Sequence, residues 1–179
     1  ENSLKQLNDN RFENVKIEEP VQKILDKLTE ANFEAYIVGG CVRDLIMGRE
    51  PHDWDITTNA RPEDVLALFK KSKYENDFGT VLVPYHNKDT TQVIEVTTYR
   101  SEANYDDHRH PSEIKFEDKL EKDLSRRDFT INAMAMDKNG QIIDYYGGQE
   151  DIQQKIIRAV GDLIESFKED AIRLMREVC

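Results

Sequence analysis

A short apolar run that ends at two consecutive glycines is the feature that most limits the fold of this chain. Residues 34–38 have the length and apolar character of a buried strand. Gly39 and Gly40 end that strand, and residues 42–46 carry apolar side chains at helical spacing behind it. The chain must therefore place a strand, a glycine turn and a helix directly after one another.

Helix and strand patterns alternate around this turn. After Pro20, apolar residues recur at i, i+3, i+4 and i+7, which predicts an amphipathic helix that rests on a sheet. Residues 54–57 have strand character, and a further helix is predicted to begin at Pro62. Residues 81–85 and 92–98 are β-branched and aromatic and predict two strands joined by a polar turn. Together these segments indicate a mixed sheet.

The second half of the chain carries a different set of signals. Residues 99–123 are mostly charged and polar without an apolar period, so we expect an exposed, mobile connection there. An Asn-Gly pair at 139–140 between two apolar runs predicts a hairpin, which a Gly-Gly pair at 147–148 closes. Two helices are predicted beyond the hairpin, at 149–159 and 163–179.

The charge of the chain limits its partners. Its 179 residues suffice for one domain with a helical extension, and the formal net charge of −11 argues against a surface that binds nucleic acid everywhere. A local basic cleft is compatible with this total. Positive charge is concentrated in Arg126, Arg127, Arg173 and Arg176.

The sequence indicates neither a membrane nor an oxidising compartment. No apolar run approaches the roughly 20 residues that span a bilayer, and the first residues lack the basic start and apolar core of a secretory signal. Cys41 and Cys179 do not form a disulfide framework, so we expect reduced thiols. A cytoplasmic location is expected, with an organelle matrix as the alternative.

Three carboxylates are candidates for a metal site. Asp53 and Asp55 are spaced i, i+2, which on a strand projects both to one face, and Mg²⁺ prefers carboxylate oxygens. Taken alone, such a pair is more often an acidic strand end or turn. If the strand that carries Glu95 lies beside this pair, the three carboxylates can close a site for two cations about 4 Å apart. A solvent-facing Glu95 is the alternative.

The glycine turn is a candidate phosphate site. Gly39 and Gly40 lie between a strand and a helix, where backbone N–H groups can receive a phosphate, and Arg43 in the first helical turn supplies a cation. An ordinary tight turn is the alternative. Asp44 is expected to cap the helix or to pair with a neighbouring arginine.

A second candidate nucleotide-binding segment begins at Arg126. We predict that Arg126, Arg127 and Asp128 open a helix, with Asn132 one turn later. The fixed fork of donors in arginine suits phosphate and planar base contacts. Salt bridges within the domain are the alternative.

The last predicted helix separates its charged side chains from its apolar ones. Its charged face consists of Glu169, Asp170, Arg173 and Arg176. These acceptors and arginine forks can hydrogen-bond the Watson–Crick edges of a nucleobase without a nucleic-acid template. A solvated face with i, i+4 ion pairs such as Glu169 with Arg173 is an equal alternative.

Four short motifs, taken together and in order, resemble the signature motifs of class II tRNA nucleotidyltransferases and bacterial poly(A) polymerases. They are IVGGCVRD, DWD, RRDFTINAM and EDAIR, at residues 37–44, 53–55, 126–134 and 169–173. The resemblance extends over residues 20–179. It implies an α+β fold, with a nucleotidyltransferase head whose small mixed β-sheet is flanked by helices and followed by a helical neck.

The resemblance also implies a role for each motif. By this resemblance, Gly40 and Arg43 contact the triphosphate, and Asp53 and Asp55 bind Mg²⁺. Arg127 and Asp128 contact the ribose and phosphates. Asp170 and Arg173 select the base. Arg176 matches a further nucleotide-contacting arginine. Cys179 stands where the family has its next such arginine, and this departure leaves Cys179 without a role.

The implied reaction adds CMP and AMP from CTP and ATP to the 3′ end of a tRNA without a template. Two Mg²⁺ ions assist it and pyrophosphate leaves. Addition of CC alone, addition of A alone and poly(A) synthesis are alternatives, which in relatives depend on the segment at 99–111 and on C-terminal helices. The four motifs do not separate them.

The implied division is a lead-in at 1–19, a catalytic head at 20–148 and the start of a neck at 149–179. The body and tail helices that hold tRNA in relatives are not in the chain, so we expect a fragment or one half of a split protein. A hypothesis of another class is a nucleotide-binding fragment that is inactive until a partner chain supplies the RNA contacts.

Overall fold

The amphipathic segment around Pro20 forms helix α1, Glu19–Glu30, and its apolar face is buried. Pro20 suits the first turn because the N–H that proline lacks has no helical partner there. Val21, Leu25 and Leu28 are fully buried. The computed structural model describes residues 17–75, 78–87, 90–105 and 111–161.

The other elements predicted up to residue 98 appear in the expected order, and the described ranges also contain elements that the sequence did not predict. The helices after α1 are α2 (Gly40–Ile46), α3 (Pro62–Leu68), α4 (Leu120–Ser125) and α5 (Gly148–Gln154), with a 3-10 turn at Thr130–Asn132. The strands are β1 (Ala35–Val38), β2 (Asp55–Thr58), β3 (Lys73–Tyr74), β4 (Thr80–Asn87), β5 (Thr90–Thr98), β6 (Arg100–Tyr105), β7 (Pro111–Phe116), β8 (Met134–Met136) and β9 (Ile142–Asp144).

Most of the strands form one mixed sheet in the order β3-β4-β5-β2-β1-β8-β9. Strands β2 and β5 run parallel, whereas the other neighbours in the sheet are antiparallel. Strands β6 and β7 pair separately as a two-stranded sheet. The α+β fold with a mixed sheet and flanking helices is therefore confirmed.

The two faces of the sheet are covered by different elements. Helices α1 and α3 pack on one face, where Ile56 and Val96 are buried. A smaller cluster on the other face contains Leu124, which is in α4, and Tyr99, which follows β5. Because side chains alternate along β2, Asp55 lies on the face opposite Ile56. The acidic residue is thus directed away from the main core.

The prediction of an exposed connection at 99–123 is wrong for the described part of that segment, and residues 106–110 lie outside the described residues. Tyr99 is fully buried, β6 pairs with β7 across this segment, and α4 begins at Leu120. The backbone N–H of Arg100 donates to the buried carboxylate of Asp123, which ties the start of β6 to α4. A two-stranded hairpin is held largely by backbone pairing, so polar side chains can build it without an apolar period.

The helix predicted at 149–159 is too long. It ends at Gln154 because Lys155 takes a left-handed conformation with φ of +56°. Beyond it, Ala159 pairs with Phe129 in an isolated bridge. Pairing with a distant segment has therefore overridden the local helical signal.

Two predicted boundaries near the motifs also differ. The segment at 126–128 was expected to open a helix, but it follows the end of α4, whose C-cap is Arg126. The strand expected at 54–57 starts one residue later, so Asp53 lies in a bend before β2. Trp54 is buried there with the core on the helical face of the sheet.

Some predictions fall on residues that the structure does not describe. These are residues 1–16 of the lead-in, residues 88–89 of the polar turn, residues 106–110 of the connection, Cys179 and the neck helix at 163–179. The division into head and neck stays a prediction. Cys41 is a buried free thiol, and its burial raises its pKa to about 11. Within the described ranges, no helix is long and apolar enough to cross a membrane.

Tyr99 tests whether the segment after β5 belongs to the core. Its hydroxyl donates to Oε2 of Glu34 at 3.0 Å, and its ring is fully buried. Tyr99→Phe should lower the free energy of unfolding by about 1 kcal/mol through loss of that hydrogen bond. Tyr99→Ala should lower it by about 3–5 kcal/mol through loss of packing. Urea denaturation measures both effects.

Val93→Ala is the matched control in the same region, since Val93 is 51% exposed on β5. We expect it to change the free energy of unfolding by less than about 0.5 kcal/mol. If Tyr99→Ala cost no more than Val93→Ala, the packed position of Tyr99 would be contradicted.

Candidate active site

The parallel pairing of β2 with β5 places two carboxylates side by side. Asp55 is the register partner of Glu95. Register partners on neighbouring strands face the same side of a sheet, and the strands lie about 4.8 Å apart. The expectation that the strand of Glu95 lies beside that of Asp55 is therefore confirmed.

The electrostatics of this pair show that negative charges converge here. Burial raises the pKa of Asp55, Arg127 opposes this shift, and Asp53 adds to it. Glu95 is exposed as a whole residue, yet packing around its carboxyl raises its pKa, and the charge of Asp55 raises it further. Like charges that raise one another's pKa are stabilised by a cation placed between them.

Asp53 belongs to this group by charge, although it is not on the strand. It lies exposed in the bend before β2, and its charge raises the pKa of both Asp55 and Glu95. Among the described residues, no three His, Cys, Asp or Glu side chains converge closely enough to hold one metal ion. Glu95 adjoins Asp55 through the strand register, and its role as a third ligand stays a prediction.

The glycine turn lies against the same carboxylate. Gly39 has a φ of +87°, a backbone angle that residues with a Cβ rarely adopt. A Cβ built on Gly39 would lie 2.9 Å from Nη1 of Arg127 and 3.8 Å from Oδ2 of Asp55. The missing side chain therefore allows the turn, the arginine and the aspartate to meet.

Arg43 is held at the start of α2 by two side chains. Its Nε and Nη2 donate to Oδ1 of Asp44 at 3.0 and 2.9 Å, which confirms the expected pairing of Asp44 with an arginine. Its Nη1 donates to Oδ1 of Asn132 at 2.8 Å. Its Nη2 also lies 3.4 Å from where a Cβ on Gly40 would be. The structure thus brings Asn132, distant in sequence, to the glycine turn.

Arg127 stands between two carboxylates behind this turn. Its Nη2 lies 3.7 Å from Oδ2 of Asp123, and its charge lowers the pKa of Asp55. Burial lowers the pKa of Arg127, whereas Asp123 raises it. Nε of Arg127 is buried without a hydrogen-bond partner. The neighbouring Asp128 accepts a bond from the N–H of Val160 through its backbone carbonyl.

Asp123 is the residue of this neighbourhood that sequence reasoning missed. It is fully buried and accepts hydrogen bonds from Thr57, Arg126 and the backbone of Arg100. Its spacing of three and four residues before Arg126 and Arg127 was a visible signal, because such pairs are neighbours on a helix.

The charged face predicted on the last helix lies outside the described residues. It comprises Glu169, Asp170, Arg173 and Arg176. The structure therefore brings together residues of the first three motifs, Gly39 with Asp55 and Arg127 and Arg43 with Asn132, and leaves the fourth motif as a prediction.

Gly39→Ala tests the close approach of the turn to Arg127. We expect it to lower the free energy of unfolding by more than Gly48→Ala, as measured by urea denaturation. Gly48 is the matched control because its φ is +71° and no atom lies within 4 Å of its built Cβ. In Gly48→Ala, backbone strain alone should lower the free energy of unfolding, by about 1–2 kcal/mol. Equal losses for the two variants would show that the Arg127 side chain is not held against the turn and moves aside from the added methyl group.

Comparison with known proteins places the chain among nucleotidyltransferase heads. The family model described as the Poly A polymerase head domain matches residues 35–158. A CCA-adding enzyme of Lactobacillus helveticus is 51% identical over 156 residues, which are 87% of this chain and 38% of that protein. One of Staphylococcus haemolyticus is 51% identical over 86% of this chain and 38% of its own length. The chain thus spans about two fifths of the curated relatives it matches.

Solved structures show the same likeness. The CCA-adding enzyme of Bacillus stearothermophilus in complex with CTP is 42% identical with a TM-score of 0.79, over 90% of this chain and 39% of that one. The Thermotoga maritima CCA-adding enzyme complexed with tRNA is 28% identical with a TM-score of 0.69, over 89% of this chain and 36% of that one. With its fold, its glycine turn and its carboxylates, this chain belongs to the Poly A polymerase head domain family.

Proposed function

We propose that this chain is the catalytic head of a tRNA nucleotidyltransferase that adds CMP and AMP from CTP and ATP to the 3′ end of tRNA. The single observation that carries the proposal is the register of Asp55 against Glu95, with Arg127 and the glycine turn beside them. The relatives named CCA-adding enzymes favour CCA addition over the other activities of this family.

The carboxylates fit a divalent cation. Divalent metal use is general in this family, and we propose Mg²⁺ held by Asp53 and Asp55. Their oxygens are the donors that Mg²⁺ prefers, and burial and like charge raise the pKa of Asp55. When bound, Mg²⁺ would offset phosphate charge and activate the attacking hydroxyl. Glu95 belongs to the catalytic set as the carboxylate opposite Asp55.

The glycine turn and two arginines are proposed to receive the triphosphate. Gly39 and Gly40 present backbone without side chains, so a phosphate can approach closely. Arg43 keeps two N–H bonds that its contacts with Asp44 and Asn132 do not use. These groups can orient the α-phosphate for attack by an RNA 3′-hydroxyl, with pyrophosphate as the leaving group.

Arg127 and Asp128 are proposed to hold the phosphates and the ribose. The buried Nε of Arg127 lacks an acceptor in the described part of the chain, and the guanidinium lies beside Gly39. Asn132 acts on the nucleotide through Arg43, whose guanidinium it contacts.

The neck residues are proposed to select the base. Asp170 and Arg173 would pair with the Watson–Crick edge, and Glu169 and Arg176 would lie beside them. CC-only, A-only and poly(A) synthesis remain alternatives, as does a nucleotide-binding fragment that needs a partner chain for RNA. We propose a cytoplasmic location, with an organelle matrix as the alternative.

Asp55→Ala and Asp53→Ala test the metal-binding pair. Each should reduce incorporation of labelled CTP into a tRNA that ends before CCA by at least about 100-fold, because the charge that holds the cation is lost. Circular dichroism should show an unchanged fold. Glu30→Ala, an exposed carboxylate at the end of α1, is the control and should retain activity. Full activity of Asp55→Ala would refute the proposed function.

Asp170→Ala tests base selection separately from catalysis. It should change the ratio of CTP to ATP incorporation more than it changes total nucleotide binding. The measurement is competitive incorporation of the two labelled nucleotides by the variant and the original protein. An unchanged ratio would count against a base-reading role for Asp170.

A further inference from the structure

A fully buried carboxylate lies directly behind the candidate active site. Asp123 of α4 has no exposed surface, and its Oδ1 accepts from the backbone N–H of Arg100 at 3.3 Å and from Nε of Arg126 at 3.1 Å. Its Oδ2 accepts from Oγ1 of Thr57 at 3.1 Å and lies 3.7 Å from Nη2 of Arg127. One carboxylate thus joins β2, β6 and the end of α4.

The position of Thr57 shows where Asp123 lies relative to the site. Thr57 is two residues after Asp55 on β2, so both side chains are on the same face of the sheet. Asp123 therefore neighbours Asp55 along that face. Arg127 interacts with both carboxylates, and its Nη1 atom lies against Gly39.

Asp123 is therefore placed to fix the orientation of Arg127. Arg127 contacts Asp123 through Nη2, while Nη1 points to the glycine turn. An arginine side chain has several rotatable bonds, and an ion pair at one end of its fork limits the directions in which the other donors point.

We propose that Asp123 is a positioning residue that holds the guanidinium of Arg127 beside Asp55 and the glycine turn, in the orientation that receives the phosphates of the incoming nucleotide. The inference rests on the proposed function and adds to it a group that does not touch the substrate. It also links the start of the β6–β7 hairpin to the site, because the same carboxylate holds the N–H of Arg100.

A second buried aspartate provides a matched control. Asp151 is 2% exposed, accepts from Oγ1 of Thr130 at 2.6 Å, and pairs with Arg158 at 3.0 Å. Its surroundings thus resemble those of Asp123, but its arginine partner is Arg158 and not Arg127. Loss of either charge should destabilise the fold, whereas only loss of Asp123 should alter nucleotide use.

Asp123→Asn removes the charge and keeps the shape. The amide oxygen can still accept hydrogen bonds from Arg100 and Arg126. The amide N–H can donate to the hydroxyl of Thr57, and that hydroxyl can in turn donate to the carbonyl of Thr97. In the full-length protein, the KM for CTP should rise about tenfold or more, as expected for loss of a charge-assisted contact. The kcat should change much less, and Asp151→Asn should leave KM within about twofold.

A double variant decides whether Asp123 acts through Arg127. In an Arg127→Gln background, adding Asp123→Asn should raise KM by less than about twofold, because the group that it positions is already gone. A full tenfold rise in that background, or a folded Asp123→Asn protein with unchanged KM, would overturn the inference.

Thr57→Val is measured as well, in case Asp123→Asn does not fold. It removes one hydrogen bond to Asp123 but keeps the pairing of Asp123 with Arg126 and Arg127, and KM should rise about threefold. An unchanged KM in a folded Thr57→Val protein would overturn the inference. Failure of the unaltered protein to incorporate CTP would instead refute the proposed function, so the two failures are distinguishable.

Discussion

Repulsion between carboxylates held side by side is the interaction on which the site depends. The parallel pairing of β2 with β5 places Asp55 against Glu95, and Asp53 adds a third negative charge from the bend before β2. Gathering like charges costs free energy unless a cation offsets them. The core beneath the sheet holds this arrangement in place, because Ile56 and Val96, the register partners next to the two carboxylates, are buried.

Positive charge is supplied by arginines that are held by other side chains. Asp44 and Asn132 hold Arg43, while Asp123 faces Arg127. Held in this way, the guanidinium groups lose little further freedom when an anion binds. The net charge of −11 is thus compatible with a nucleotide site, because the local arrangement of charges decides binding at a cleft.

Local signals predicted much of this fold. Gly39, with φ of +87°, and the Asn-Gly hairpin depend on neighbouring residues, and both were identified correctly. The failures involve backbone pairing without an apolar pattern and partners that are distant in sequence. The segment after Tyr99 pairs and packs without an apolar period, and α5 ends early where Ala159 pairs with Phe129. Asp123 was overlooked for the same reason, since two of its partners come from other strands.

We expect the aspartates and the glycine turn together to receive a metal-bound triphosphate. A crystal structure of the protein grown with Mn²⁺ and CTP tests it most directly, because Mn²⁺ is visible by its anomalous scattering. We expect an anomalous peak between the carboxylates of Asp53 and Asp55, with the triphosphate lying over Gly39 and Gly40. Bound CTP with its metal and phosphates elsewhere on the protein would contradict the account.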